Sequence, residues 1–425
     1  MFTCITQKKR MIVMNFEFRK LYRNKLFKIS IFLILIYIAV ISFKNINARN
    51  YYVYRNDGLS YLTGLSATKA EKKDRSSIYG KFIDEEFLSK YLSIHKDVIS
   101  GKYDNLDDTS RYVKYEQKYN DIMILIAKSY APFNSFDLNI ADTLSFDDLD
   151  TFYTNRKAKL NTYLDKTEFK NYKFTDGEKN FLLKENDKLK TPIEYTYYKG
   201  WEILLSDFFI SSILFAIFSN VVVSNTFTMD YSNNMNEILF ATVGKKRIIK
   251  NKIKSGIWTG ALMFLLPHLL YAFVILLLFG IDGFNAPIQL YQAYWNSVYN
   301  LTFLQAYLLI LMLGVLITVI SIILNMIVSI ISKKSLISVS IVLALNFIPL
   351  VLYEGAGRVL KKILSVSMIN LYNGESLLIN YRPIFRIFNI YILQAYAMVP
   401  ICIVIIIIFS IILNILAIRN YENYK

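Results

Sequence analysis

The stretch "FLQAYLLILMLGVLITVISII", Phe303–Ile323, decides the fold. It contains no Asp, Glu, Lys, Arg or His, and its apolar character runs on to Ile331. About 20 such residues in an α-helix reach about 30 Å, the thickness of a bilayer's hydrocarbon core. A helix that is apolar all round has no face to turn to water. The stretch is therefore read as a membrane span, 303–331. Working outward, five further runs share this character: 27–43, 203–225, 257–280, 334–353 and 395–417. The first is short, but its flanking lysines can snorkel to the interface. The fold class that follows is an all-α polytopic membrane protein with six transmembrane helices.

The chain is 54% hydrophobic and carries a formal charge of +16. A charge that large admits a nucleic-acid reading, so its placement matters. The segment up to Lys28 has eight basic residues against one acid, Glu17. The loop 226–256 has six against two, and Lys333 and Lys334 mark the next turn on the same side. The tail 418–425 is also net positive. By the positive-inside rule these segments are cytoplasmic, as are both termini. The long region 44–202 is nearly balanced, with 26 basic and 25 acidic residues. The excess charge thus marks loops beside anionic lipid, and no nucleic-acid partner is expected. The expected location is the cell membrane. Segment 354–394 strains this topology, because Arg358, Lys361, Lys362, Arg382 and Arg386 are many for a short outer segment. Re-entrant or interfacial helices would place them at headgroups. Cys4 and Cys402 fall in the cytoplasmic N-terminus and the sixth span, so no disulfide is expected. The first apolar run offers no small-residue cleavage site and reads as a retained anchor.

Residues 1–26 form the cytoplasmic N-terminus, in which "NFEFRKLYRNKLF" reads as an amphipathic interfacial helix. Region 44–202 is long enough for an extracellular domain, and its patterns are mostly helical. Phe82, Ile83, Phe87, Tyr91 and Leu92 fall near helical spacing, and Thr175 with Glu178 makes a capping-box pattern. Segment 281–302 is aromatic and nearly uncharged. Its Tyr291, Tyr294, Trp295 and Tyr299 are expected to form an outer interfacial belt.

Catalysis needs a constellation of groups, and the sequence offers none. The two histidines are His95, read as part of a solvated helix, and His268, inside the third span. No HExxH, CxxC or metal-ligand cluster occurs. "GKK" at Gly244–Lys246 lacks the glycine and the Ser/Thr of a phosphate loop, so the chain has no ATP site of its own. No metal and no cofactor is expected in it, and it is not read as an enzyme. Polar groups inside spans remain as candidate pathway residues: Asp207, His268 and Asn346. For His268 and Asn346, packing at proline kinks is the competing reading.

The cytoplasmic loop 226–256 has an unusual grammar. "NEILFATVGKKR" places Glu237 in the first turn of a short helix, with Ile238, Leu239 and Thr242 on an apolar face and Phe240 at its side. Gly244 fits the left-handed residue that ends such a helix, and Lys245, Lys246 and Arg247 follow it. An apolar helix that stands off the bilayer invites a protein partner; the competing reading is a helix folded back on the interface, its lysines serving only the positive-inside rule.

At these residues the chain resembles the permease subunits of ABC transporters of the ABC-2 type. Glu237, Leu239, Thr242, Lys245, Arg247 and Lys252 stand where that family has an acid, a Leu-rich turn, Thr and a basic stretch. Val243 and Gly244 replace the Pro and Ser often found after the Thr. The resemblance implies a half-transporter. A second copy or a sister permease would complete the pathway. A separate ATPase subunit, carrying ATP and Mg, would dock on Glu237–Arg247. Family substrates are usually exported peptides, lipids, glycans or drugs. The Lys, Ile, Asn and Tyr content suggests an AT-rich genome, as in a Gram-positive bacterium, where an antimicrobial peptide is one substrate to consider. Two other classes compete: a mechanotransmission-type or sensor protein acting through its outer domain, and an ion-coupled carrier.

Overall fold

Long helices form on all six apolar runs in the computed structural model. It describes residues 17–55, 58–103, 105–132, 137–165, 172–232, 244–353 and 355–422. Residues 17–23 are helical, and the chain breaks at Asn24, whose side chain accepts from the Leu26 N–H and caps α1 (Lys25–Asn47). A hairpin of β1 (Asn50–Arg55) and β2 (Gly58–Thr63) follows, paired antiparallel. Then come α2 (Gly64–Arg75), α3 (Glu85–Ile99), α4 (Asp108–Tyr115), α5 (Asn120–Tyr130), α6 (Ile140–Thr143), α7 (Phe152–Asp165) and α8 (Asp176–Asn186). Long helices resume with α9 (Lys199–Val223), which runs almost directly into α10 (Asn225–Ser232). After Gly244 come α11 (Lys245–Phe279), α12 (Phe303–Ser332) and α13 (Ser335–Leu352). Three short helices, α14 (Arg358–Leu364), α15 (Met368–Tyr372) and α16 (Gly374–Ile379), lead to a second hairpin, β3 (Phe385–Ile387) with β4 (Ile390–Ile392). The last element is α17 (Gln394–Glu422).

Among the described residues, six helical stretches are long and apolar enough to cross a membrane: Lys25–Asn47, Lys199–Ser232, Lys246–Phe279, Phe303–Ser332, Ser335–Leu352 and Gln394–Asn420. The stretch that decides the fold sits at their centre. α12 packs against α9, α11, α13 and α17, and most of it is buried. By contrast, α1, α13 and α17 turn apolar side chains outward, among them Phe32, Val351 and Ile407. Such faces suit hydrocarbon and would be a liability in water. Small residues let the central helices approach closely. A Cβ on Gly314 would lie 2.8 Å from the Phe264 ring, and one on Gly256 would lie 3.0 Å from Met326 Sδ.

The helical region between α1 and α9 does not stand apart from the bundle. One continuous apolar core runs from Tyr91, Ile122 and Leu182 through Trp295 to Phe208 and Ile310. Three segments meet at this end. Arg156 reaches from α7 to the Trp295 and Ser297 carbonyls, and Lys72 pairs with Asp282 at 2.5 Å. Arg358 pairs with Glu178 at 2.6 Å, and the Ile384 N–H donates to Tyr172 Oη at 3.0 Å. The turns after α1, α11 and α13 therefore share one end of the bundle. The other end gathers 17–23, α10, the Lys333–Lys334 turn and the end of α17. There Lys333 lies over the Tyr231 ring at 5.4 Å, and Asn420 Nδ2 donates to Tyr231 Oη at 2.8 Å.

Several expectations change. The third long helix starts at Lys245 rather than 257, because Ile249 and Ile253 are buried while Lys246, Lys250 and Lys254 face outward. The loop expected over 226–256 is thus largely helical at both ends. Phe82 and Ile83 precede α3, which Asp84 caps; Ile83 is fully buried and Phe82 is exposed. Tyr294, Trp295 and Tyr299 are not an interfacial belt. All three are buried, with Trp295 against Phe152 at 5.0 Å, because α7 covers the segment. The basic residues of 354–394 are accommodated by specific partners. Besides Arg358, Lys361 lies over Tyr353, Lys362 over Phe385 and Arg386 over Tyr391.

His95 is not solvated. It is 8% exposed, with Nδ1 2.6 Å from Glu116 and Nε2 2.8 Å from Asp142. The hydrogen bond to Glu116 outweighs the cost of burial and raises the imidazole's pKa above its ordinary value.

Candidate functional site

Glu237, Ile238, Leu239, Phe240 and Thr242 lie outside the described residues. What is described is the base on which their loop stands. α10 delivers the chain to Ser232, and α11 takes it up at Lys245. Gly244 is exposed and left-handed at φ 99°, at the N-cap position of α11. A side-chain-bearing residue would be strained there. Lys246 is exposed, and Arg247 is half-buried one residue on.

The base is built around one carboxylate. Asp230 is 1% exposed. Its Oδ1 accepts from Lys20 Nζ at 2.5 Å, and its Oδ2 pairs with Lys252 Nζ. Lys252 is equally buried, and Glu17 is buried on the same helical stretch as Lys20. Three chain segments are thus joined through one acid: 17–23, α10 and the first turns of α11. Asn24 Nδ2 adds a contact to Met229 Sδ at 3.6 Å. Beneath them lies a separate apolar cluster, in which Phe227, Ile249, Ile253, Ile322, Met326 and Leu413 are buried together. The two flanks of loop 233–243 are therefore fixed to each other, to the N-terminal helical stretch and to α12.

Further polar groups sit among the long helices at other depths. Asp207 Oδ2 accepts from Asn45 Nδ2 at 2.6 Å and from the Tyr271 hydroxyl. This ties α9 to α1 and α11. His268 is buried, and Nδ1 lies 2.9 Å from the Phe264 carbonyl. Because a carbonyl only accepts, Nδ1 carries the proton and Nε2 accepts from Ser212 Oγ at 3.0 Å. Phe208, Phe215 and Phe264 surround the ring. Asn346 donates to the Val342 carbonyl at 2.8 Å and reaches Ser321 Oγ at 3.4 Å. The three candidate pathway residues are not brought together. Each sits in its own layer with its own partners.

Two groups escaped the sequence reading. One is the trio Asn220, Ser321 and Asn325, all fully buried. Asn325 Nδ2 donates to the Asn220 carbonyl at 2.8 Å and to its Oδ1 at 3.1 Å. Two asparagines inside apolar runs, 220 and 325, are the sequence signal for this trio. The other is the Asp230–Lys252 pair. Its acid and base stand 22 positions apart, on α10 and α11, and meet only in the folded chain.

Among the described residues, no group of three or more His, Cys, Asp or Glu is arranged to hold a metal ion. No protein-family model, no curated protein and no solved structure matches the chain.

Proposed function

We propose that the chain is the membrane-embedded permease subunit of an ATP-driven ABC exporter. It forms the pathway with a second copy or a sister permease, and a separate ATPase subunit drives it through loop 233–243. The observation that carries this reading is the base of that loop. A soluble tether between two spans needs no buried charges. Here Asp230 joins both flanks of the loop to the N-terminal helical stretch, so a force applied to the loop reaches α9, α11 and α12 together. The basic faces of 17–23 and α11 support a cytoplasmic position for this end, and the domain between α1 and α9 is then extracellular. A peptide, a lipid or an antimicrobial compound fits the substrate range of such exporters.

Affinity purification of the full chain in mild detergent tests the proposal. An ATPase subunit is expected to co-purify, and Glu237→Lys with Leu239→Asp is expected to abolish both its retention and transport. Retention of the same partner by the double variant sinks the docking site. Transport without any ATPase sinks the class.

A further inference from the structure

A polar cavity of about 340 Å³ lies where α1 and α11 end and α9 begins. Arg49, Arg75 and Lys199 line it, together with Glu71 and Asp121. Most of this charge is already paired. Arg75 donates to Asp121 Oδ2 at 2.6 Å and lies 3.2 Å from Glu71 Oε1. Lys199 Nζ is 2.8 Å from Glu202 Oε2. Asp121 Oδ2 also accepts from Tyr195 at 2.9 Å and Tyr198 at 3.2 Å.

Arg49 differs. Its guanidinium lies over the Phe279 ring at 5.7 Å, and among the described residues no carboxylate pairs with it. Its Nε is buried without an acceptor. Arg75 is 7% exposed and its Nε is likewise unpartnered. A buried N–H left without a partner is destabilising, so a cavity with spare donors and one unpaired cation favours an acceptor-rich anion.

The position of the cavity narrows the class. Ala48 caps α1, Phe279 is the last residue of α11, and Lys199 is the first of α9. Three apolar helices reach their ends here, at the depth where headgroups of a bilayer lie. We propose that this cavity holds the phosphate of an anionic lipid headgroup, with Arg49 as its principal contact and Arg75 and Lys199 behind it. The site does not depend on coupling to an ATPase. Free inorganic phosphate shares the chemistry and is the other source of such a group.

The full chain in neutral detergent is incubated separately with phosphatidylglycerol, phosphatidylcholine and inorganic phosphate, and bound lipid is counted by native mass spectrometry. Phosphatidylglycerol is expected to be retained in preference to phosphatidylcholine. Arg49→Gln should lower its occupancy about fivefold, the effect of one basic residue at a membrane surface. Arg49→Lys should keep most of the binding, and Lys102→Gln, exposed and outside the cavity lining, should keep all of it. Phosphate that displaces the lipid and binds alone supports the same site with a free anion as occupant. Equal retention of both lipids by the unaltered chain overturns the proposal without reference to any variant. Unchanged occupancy in a folded Arg49→Gln overturns it as well.

Discussion

The two ends of the helix bundle are held together in different ways. At the domain end, contacts are spread over many residues and several segments: Arg156, Arg358, Lys72 and Asn300 each cross a different gap. Much of the bonding there runs from side chain to backbone carbonyl, as when Asn300 Nδ2 reaches the Glu185 carbonyl at 2.8 Å. At the loop end, charge is concentrated on Asp230, which two lysines share. A distributed joint loses a fraction of its strength with any one residue. A concentrated joint fails at one atom group, and it is also the joint that a single applied force can move.

The largest expected effect follows from that concentration. Asp230→Ala removes the carboxylate paired with buried Lys252 and leaves only the charge of Glu17 to offset it; breaking such a buried pair costs up to about 3–5 kcal/mol. Thermal unfolding in detergent should show it, and the double variant Asp230→Ala with Lys252→Met should recover most of the loss. A double variant no more stable than the single one would mean that the pair is not what holds the base.

Arg156→Met comes next. It orphans the Trp295 carbonyl and Asn186 Oδ1 and removes one of the two donors to the Ser297 carbonyl, which keeps Gln289 Nε2, at about 3 kcal/mol. Proteolysis should then cut the domain first while α9–α12 stay protected. Even loss of protection across both ends would contradict a distributed joint. Arg358→Gln is smaller, at about 1 kcal/mol, because its pair is partly exposed and the neighbouring contacts remain.

The smallest effect is a slope rather than a midpoint. The folded-state pKa of His95 is raised, chiefly by the hydrogen bond to Glu116. The stabilisation from its protonated form is complete below the ordinary histidine value of about 6.5 and is lost as pH rises through the higher folded value. The groups facing it are Glu116, Asp142 and the Tyr91 ring. His95→Gln should flatten the pH dependence of domain unfolding between mildly acid and mildly alkaline conditions. An unaltered slope would place the titration elsewhere.

The six apolar runs were legible because length and uniform composition need no partner to be read. The Thr175–Glu178 capping box was legible for the same reason: both residues lie within one turn, and the structure forms it. What could not be read were contacts between distant segments. Tyr294, Trp295 and Tyr299 have the composition of an interfacial belt, and only the presence of α7 above them makes them core. The lysines of α11 were read as a basic loop, although the buried Ile249 and Ile253 already stood at helical spacing among them. Of the candidate site, the sequence singled out the tip of the loop, while the base depends on a pairing across a turn.

The amide trio has a consequence for motion. Asn220 and Asn325 are locked side chain to backbone in the loop-end thirds of two apolar helices. Sliding α9 along α12 by one residue would break the bonds from Asn325 Nδ2 to Asn220 and leave that buried amide without an acceptor, whereas a small rotation about them would disturb those bonds less. The trio would therefore serve as a fulcrum for such a rotation. Below it, α10 and the base of the loop form one arm; above it, the Asp207 layer and the folded domain form the other.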